Sequence, residues 1–399
     1  MLYDITQKKE IFPEIFWDKE NTIKKYAPES AKELMIESMP NLKRKHVLDY
    51  DLFDNDWKIQ YDYKGNVQNE AERIVLSNQS YHIDGRAGTG KTYLVNQIVT
   101  KLKEEKIKYI CLSPTNKGAR LIHGATIHSL YYKFKKSKKL LYKLLHDVQY
   151  IIIDEVSMMS HDFYQLFILL QRSFESLKFI ICGDFDQLPP VQDSWTGDYK
   201  NCHALFQLCS GNRIQLTQCK RSDNMLFDLC KNVEIIDRRD FPIKNFTYKN
   251  IAYTHKTRIQ INDICMVQYQ QDNNLPSIQI KKDIKNPKTQ DIILSKGMPI
   301  LCHKTNKKIN ILNSEIFYIH SINKDTFSYI NNEKIKVEIQ NSDFHKYFYP
   351  GFCITVYASQ GETYNEDYTI FDWDFIHFSK KAKYVALSRS TKINHIQIA

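Results

Sequence analysis

The sequence predicts an α/β protein of two lobes, each built on a parallel sheet, with a small β-rich insertion in the second. Three observations lead there. Gly85-Arg86-Ala87-Gly88-Thr89-Gly90-Lys91-Thr92 is a glycine-rich turn that follows a short apolar run, Tyr81-His82-Ile83, and precedes Leu94, Val95, Ile98 and Leu102 at helical spacing. From about 66 to 230, short apolar runs alternate with helical patterns, which argues for a parallel sheet covered on both faces. A β-like stretch from about 275 to 350 then precedes a second alternation, which resumes at Ile354 and runs to the end. The expected divisions are an N-terminal accessory extension over 1–62, a first lobe over 63–230 and a second lobe over 231–399.

Residues 1–62 pass from a basic knot, Lys43-Arg44-Lys45-His46, to an acidic aromatic stretch, Asp49-Tyr50-Asp51 through Asp54, Asp56 and Trp57. An extension with a connector and a packed helical subdomain both fit that change. In the first lobe the candidate strands are Lys108 to Leu112, Tyr150 to Ile153 and Lys178 to Cys182. Each ends in a polar or glycine-bearing loop, the place where open α/β sheets hold ligands. The second lobe begins near Ile251-Ala252-Tyr253, which precedes a helix, and its insertion carries short strands such as Glu315 to Ile319 and Lys334 to Ile339. The sequence shows no internal repeat, low-complexity tail or heptad run.

A chain of 399 residues with 42% hydrophobic and 26% charged residues can bury a sizeable core. No apolar run approaches the ~20 residues of a membrane span, and Met1-Leu2-Tyr3-Asp4 lacks the layout of a signal peptide. A soluble, intracellular protein with no membrane partner is expected. The cysteines include no C-x-x-C pair, and Cys202, His203, Cys209 and Cys219 lack the spacing of usual zinc patterns. A net charge of +10 permits a polyanionic partner. The 25 tyrosines and 21 phenylalanines suit stacking of single-stranded nucleic acid, although the AT-rich coding of a virus or microbe accounts for most of that excess.

The glycine turn reads G-x-x-x-x-G-K-T. Between a strand and a helix, such a turn aims backbone N–H groups and a positive helix end at a phosphate. Lys91 is placed to reach the β/γ-phosphates and Thr92 to ligate Mg²⁺ through oxygen. About 60 residues on, Ile151-Ile152-Ile153-Asp154-Glu155 is a buried strand ending in two carboxylates. Asp154 suits the Mg²⁺ shell and Glu155 the activation of a water. The next strand ends Gly183-Asp184-Phe185-Asp186-Gln187-Leu188-Pro189-Pro190, a rigid turn after a glutamine whose amide can both accept from water and donate to a γ-phosphate. Arg221 and Arg389 are two further candidates, since a guanidinium stabilises the charge that spreads in phosphoryl transfer. From spacing alone, a surface salt bridge is the better reading of either arginine.

These motifs, joined by S-P-T-N-K-G-A, T-I-H-S-L, L-T-Q-C-K-R-S-D, I-T-V-Y-A-S-Q-G-E-T and Y-V-A-L-S-R-S in that order, resemble the motif series of superfamily 1 helicases. The likeness is to the 5′-to-3′ branch that contains RecD, the phage Dda helicase and the petite-integration-frequency helicases, and it runs from about Gln68 to Ile398. The resemblance implies two RecA-like lobes and an ATP hydrolase that uses Mg²⁺, moves along single-stranded DNA and unwinds forked duplex in replication, repair or recombination. Polarity rests on the resemblance alone. It also implies that Gln68 reads adenine, that Gly85, Ala87, Gly88, Thr89, Gly90, Lys91 and Thr92 hold the nucleotide, and that Thr92 and Asp154 hold the metal. Lys91, Glu155, Gln187, Arg221 and Arg389 become catalytic, with Gln187 as phosphate sensor and the arginines as fingers. Pro114, Thr115, Thr126, His128, Thr355, Ser359 and Gln360 fall on positions that line the strand track.

Tyr357-Ala358 stands where the family has His-Lys, so a basic strand contact is either missing or replaced by stacking. The stretch from Ser129 to Tyr150, where the family carries a separation pin, is short and lysine-rich (Lys133, Lys135, Lys136, Lys138, Lys139). The insertion is smaller than the SH3-like domain of larger relatives. Other replication proteins are the further partners expected, in the cytoplasm at a viral replication site or in the nucleus. A viral-type superfamily 1 RNA helicase and a helicase-like scaffold of a larger replication protein are the alternatives. An end at Ala399, soon after the last motif, is compatible with a piece of a longer polypeptide.

Overall fold

The computed structural model describes residues 57–61, 66–135, 143–191, 193, 195 and 197–399. Most of the expected extension and of the lysine-rich run after Ser129 lies outside them. The chain divides into two compact units, Met1–Lys220 and Arg221–Ala399.

In the first unit β1 (Lys58–Tyr61) is followed by α1 (Val67–Ser77), β2 (Tyr81–Gly85), α2 (Lys91–Glu104), β3 (Tyr109–Ser113), α3 (Asn116–Leu121), β4 (Ala125–Thr126) and α4 (Ile127–Lys135). Then come β5 (Tyr150–Ile153), α5 (His161–Ser173), β6 (Lys178–Gly183), α6 (His203–Leu208) and β7 (Asn212–Leu216). All seven strands lie parallel in the order β1-β7-β2-β6-β5-β3-β4. Residues 58–61, counted with the extension from sequence, are thus the edge strand of this sheet.

Both faces are covered, as a nearly all-apolar strand demands. On β5 and β6, Ile152, Ile180 and Cys182 pack with Leu94, Val95 and Ile98 of α2, while Ile151, Ile153, Phe179 and Ile181 pack with Phe163, Phe167 and Leu170 of α5. Asn66 caps α1 by accepting from the Gln68 N–H, and Asn78 ends it in the left-handed region at φ 51°.

The second unit runs through α7 (Asn224–Leu229), β8 (Asn250–Ala252), α8 (His255–Asn273), β9 (Ser277–Ile280), β10 (Ile292–Ser295), β11 (Pro299–Cys302), β12 (Ile316–Ile322), β13 (Thr326–Ile330) and β14 (Lys336–Gln340). It ends with α9 (Phe344–Tyr347), β15 (Phe348–Pro350), β16 (Cys353–Thr355), α10 (Val356–Ser359), β17 (Tyr368–Ile370), α11 (Lys380–Leu387) and β18 (Ile396–Ile398). Strands β16-β8-β17-β18 make a second parallel sheet. Between β8 and β16 the chain inserts an antiparallel hairpin, β9 with β10, and a five-stranded sheet in the order β14-β13-β12-β11-β15. Ile300, Phe317, Phe327, Tyr329 and Phe348 fill that insertion's core. Among the described residues no helix is long and apolar enough to cross a membrane.

Candidate functional site

Strands β2, β6 and β5 are consecutive neighbours and parallel, so their carboxyl ends meet at one edge. That edge receives the glycine loop from β2, the Asp184–Gln187 turn from β6 and Asp154-Glu155 from β5. Gly90, at φ 88°, is the N-cap of α2, a left-handed turn that an L side chain adopts only with strain. The Lys91 ammonium donates to the carbonyls of Gly85 at 2.6 Å and Arg86 at 3.0 Å, so the loop's own carbonyls hold it within the turn. Thr89 is buried and donates to the Arg86 carbonyl at 2.9 Å. The Lys220 N–H donates to the Gly88 carbonyl at 2.8 Å, a clamp from the loop after β7 that lies within the L-T-Q-C-K-R-S-D motif, of which the sequence marks only Arg221 as functional.

Thr92 Oγ1 donates to Asp154 Oδ2 at 2.9 Å, and the Glu155 N–H donates to Asp154 Oδ1 at 2.9 Å. Burial pushes the Asp154 carboxyl above the usual range, opposed by those two hydrogen bonds and by the nearby Lys91 charge. A hydroxyl and a buried carboxylate in contact are an all-oxygen donor pair, which is what a hard divalent cation takes. Glu155 sits at φ 62°, ψ 41°, a left-handed conformation that costs a non-glycine residue on the order of 1 kcal/mol or more and turns its side chain out of the strand line. Gly183 permits that turn. A Cβ there would lie 2.7 Å from Val156 Cγ1 and 2.9 Å from the Val156 nitrogen. Gln187 is buried and its Nε2 donates to Asp184 Oδ2 at 3.2 Å, which fixes the amide beside the loop. Gln68, by contrast, is exposed, with its Oε1 accepting from Asn66 Nδ2 at 3.0 Å.

The remaining candidates divide by unit. Pro114 and Thr115 follow β3; Thr126 is the last residue of its neighbour β4, where it pairs with Ser113, and His128 comes just after. Thr115 Oγ1 accepts from Gly118 N at 3.0 Å and Thr126 Oγ1 from Ser129 N at 3.1 Å. In the second unit Thr355 caps α10 in the same way, accepting from Ala358 N at 3.4 Å. A capping threonine spends a lone pair and keeps its O–H proton to give to a phosphate oxygen. His128 stands edge-on to Phe163, and burial lowers its pKa, so near neutral pH it is an uncharged hydrogen-bonding ring. Ser359 is fully buried with its hydroxyl on the Val356 carbonyl at 2.8 Å, and Gln360 is buried too. The side chain this turn presents outward is Tyr357, 42% exposed.

Arg221 and Arg389 both belong to the second unit and meet at the carboxyl end of α11. Arg221 Nη1 donates to the Ser388 carbonyl at 3.5 Å. Arg389 is buried, with Nε on the Val385 carbonyl at 2.8 Å, Nη1 on the Glu362 carbonyl at 3.3 Å and Nη2 on Ser388 Oγ at 2.8 Å.

Known proteins share parts of this sequence and its fold. A family model described as an AAA domain matches residues 68–193. The ATP-dependent DNA helicase Pif1 of Campylobacter jejuni is 29% identical over 177 residues, 38% of this chain and 40% of that protein. The match to the Pif1 of Bdellovibrio bacteriovorus covers 42% of that relative, so the chain spans about two fifths of the length of these two relatives. The crystal structure of Pif1 helicase from Candida albicans superposes with a TM-score of 0.64 at 19% identity, covering 84% of this chain and 94% of that one. Bacteroides Pif1 bound to ssDNA gives 0.62 at 16% identity, covering 84% and 92%. At such identities the likeness is one of fold. The resemblance to the 5′-to-3′ branch of superfamily 1 helicases, read from the motifs, is borne out.

Proposed function

We propose that this chain is an ATP-dependent DNA helicase that moves 5′ to 3′ on single-stranded DNA and separates the duplex of a fork. The observation that supports this most is the convergence of Lys91, Thr92, Asp154, Glu155 and Gln187 on one edge of the first sheet, with Thr92 and Asp154 in contact. In this reading Gln68 meets the adenine, the loop from Gly85 to Thr92 wraps the phosphates, and Lys91 exchanges its two loop carbonyls for β/γ-phosphate oxygens. Thr92 and Asp154 would hold Mg²⁺, whose charge offsets that of the triphosphate. Glu155 takes a proton from the attacking water. Gln187 holds that water and touches the γ-phosphate, and Arg221 and Arg389 supply positive charge as it leaves. Thr115, Thr126, His128 and Thr355 touch the strand, and Tyr357 stacks on a base.

Such an activity belongs where DNA is copied or repaired, in the nucleus or at a viral replication site in the cytoplasm, with other replication proteins as neighbours. ATP turnover measured with and without oligo-dT tests the reading. Turnover should rise with oligo-dT, and Lys91→Ala and Glu155→Gln should each lower it at least ~10³-fold while strand binding persists, since both act on the transferring phosphoryl group. Normal turnover in either variant would remove the site assignment. Stronger stimulation by oligo-U than by oligo-dT would make it an RNA helicase, and no turnover in the wild type would leave a scaffold.

A further inference from the structure

The loop between β9 and β10, residues 281–291, reads Lys-Lys-Asp-Ile-Lys-Asn-Pro-Lys-Thr-Gln-Asp and carries Lys281, Lys282, Lys285 and Lys288, all exposed. Ile284 at its tip is 91% exposed, more than any other large apolar side chain among the described residues.

The loop is built to hold that tip still. Asp283 Oδ1 accepts from the Lys285 N–H at 2.9 Å and the Asp283 carbonyl from the Asn286 N–H at 3.0 Å, closing a turn with Ile284 and Lys285 at its corner. The buried Thr289 hydroxyl donates to the Asp283 carbonyl at 2.9 Å, and Asp291 Oδ1 accepts from the Lys282 N–H at 2.9 Å. Gln290, also buried, donates to Asp263 Oδ1 at 2.7 Å. Lys281 pairs with Asp291 at 3.0 Å; among the described residues Lys282, Lys285 and Lys288 form no ion pair.

Its footing matters more. Arg258, 1% exposed, donates from Nη2 to the Lys288 carbonyl at 2.6 Å and lies 4.5 Å over the Tyr349 ring. Arg258 belongs to the first turns of α8, and Asp372 fixes that end by accepting from Tyr253 N, Thr254 N and the Thr257 hydroxyl. α8 starts just past the carboxyl end of β8, where Ala252 pairs with Thr355 of β16. The lysine loop therefore stands on the edge of the second sheet that carries Thr355 and Tyr357.

We infer that residues 281–288 are a second single-strand contact, continuing the path from Thr355: Lys282, Lys285 and Lys288 bind successive phosphates while Ile284 lies against a base. This rests on the reading that the chain binds single-stranded DNA. Lysines neutralise backbone phosphates, and an apolar side chain among them can slip between bases.

The test is the affinity of the full chain for fluorescent oligo-dT, measured over a series of salt concentrations. Each phosphate contact contributes about 0.7 to the slope of log affinity against log salt for a single strand, so Lys282→Gln/Lys285→Gln should lower the slope by about 1.4. Ile284→Ser should weaken binding roughly threefold and leave the slope unchanged, because it removes an apolar contact of about 0.7 kcal/mol and no charge. Lys103→Gln/Lys106→Gln, exposed at the far end of α2, removes the same charge away from the strand and should change neither. Wild-type slope and affinity in the loop variants, or an equal fall in the control pair, would overturn the inference and leave the helicase reading standing. A wild-type chain that fails to bind oligo-dT would remove both.

Discussion

At the scale of single residues, the proposed chemistry rests on groups whose hydrogen bonds are already committed. Lys91 is held by two carbonyls, Asp154 by a hydroxyl and an N–H, and Arg389 by two carbonyls and a hydroxyl. A bound triphosphate offers Lys91 stronger, charged acceptors than the carbonyls it leaves. Arg389 faces a larger demand, because a buried guanidinium that gives up acceptors needs others at once. If Arg389 supplies charge to the phosphoryl group, Arg389→Lys should lower kcat of the DNA-stimulated ATPase by roughly 10³-fold with little change in KM for ATP. If it serves only to tie α11 to the Glu362 loop, thermal stability should fall instead and kcat should hold. Steady-state kinetics beside a melting curve separates the two. The sequence could name Arg389 as a candidate, but its burial was hidden there, since an isolated arginine in a polar run reads as surface.

At the scale of elements, the strand that delivers the glycine loop is apolar on one face only. Tyr81 and Ile83 enter the core beside α2, whereas His82 and Asp84 are buried on the opposite face. There Arg213 Nε donates to His82 Nδ1 at 3.1 Å, Lys200 Nζ lies 2.8 Å from Asp84 Oδ2, and Trp57 covers the Arg213 guanidinium at 3.8 Å. Phe185 meets the His82 ring edge-on. Burial, with the charges of Arg213, Lys200 and Lys91 and against that of Asp84, lowers the His82 pKa from 6.5 to about 3. A histidine held neutral when folded stabilises fully above its unfolded pKa, and that stability is lost as pH falls from about 6.5 to about 3. The loss is on the order of 5 kcal/mol, and Asp84, whose pKa is also lowered, adds a loss of the same sign at the acid end. Urea unfolding between pH 7 and pH 4 should show the wild type weakening and His82→Gln weakening less; parallel curves would discount His82. This face was illegible in the sequence because Lys200 and Arg213 lie more than 100 residues from His82 and Asp84 and meet them only when β7 pairs with β2. The glycine loop and Asp154-Glu155 were legible because their spacing is local and each closes an apolar run.

At the scale of the whole molecule, the motor reading needs nucleotide and DNA sites to share free energy, since two parallel-sheet units that bind their ligands independently would hydrolyse ATP without moving. The residues proposed to meet the nucleotide, from Gln68 to Gln187, lie in the first unit, whereas Arg221, Arg389, Thr355, Tyr357 and the lysine loop lie in the second. Coupling between ligands is reciprocal at equilibrium and typically amounts to about 1–3 kcal/mol, or roughly 5- to 150-fold in affinity. Glu155→Gln allows the measurement with ATP itself, because binding should survive when turnover does not. Saturating ATP should change the oligo-dT dissociation constant of that variant by a factor within this range. Saturating oligo-dT should then change the ATP dissociation constant by the same factor. Equal affinities with and without the other ligand would mean that hydrolysis in one unit has no means of shifting DNA in the other, and the proposed translocation would fail even if ATPase and strand binding were each confirmed separately.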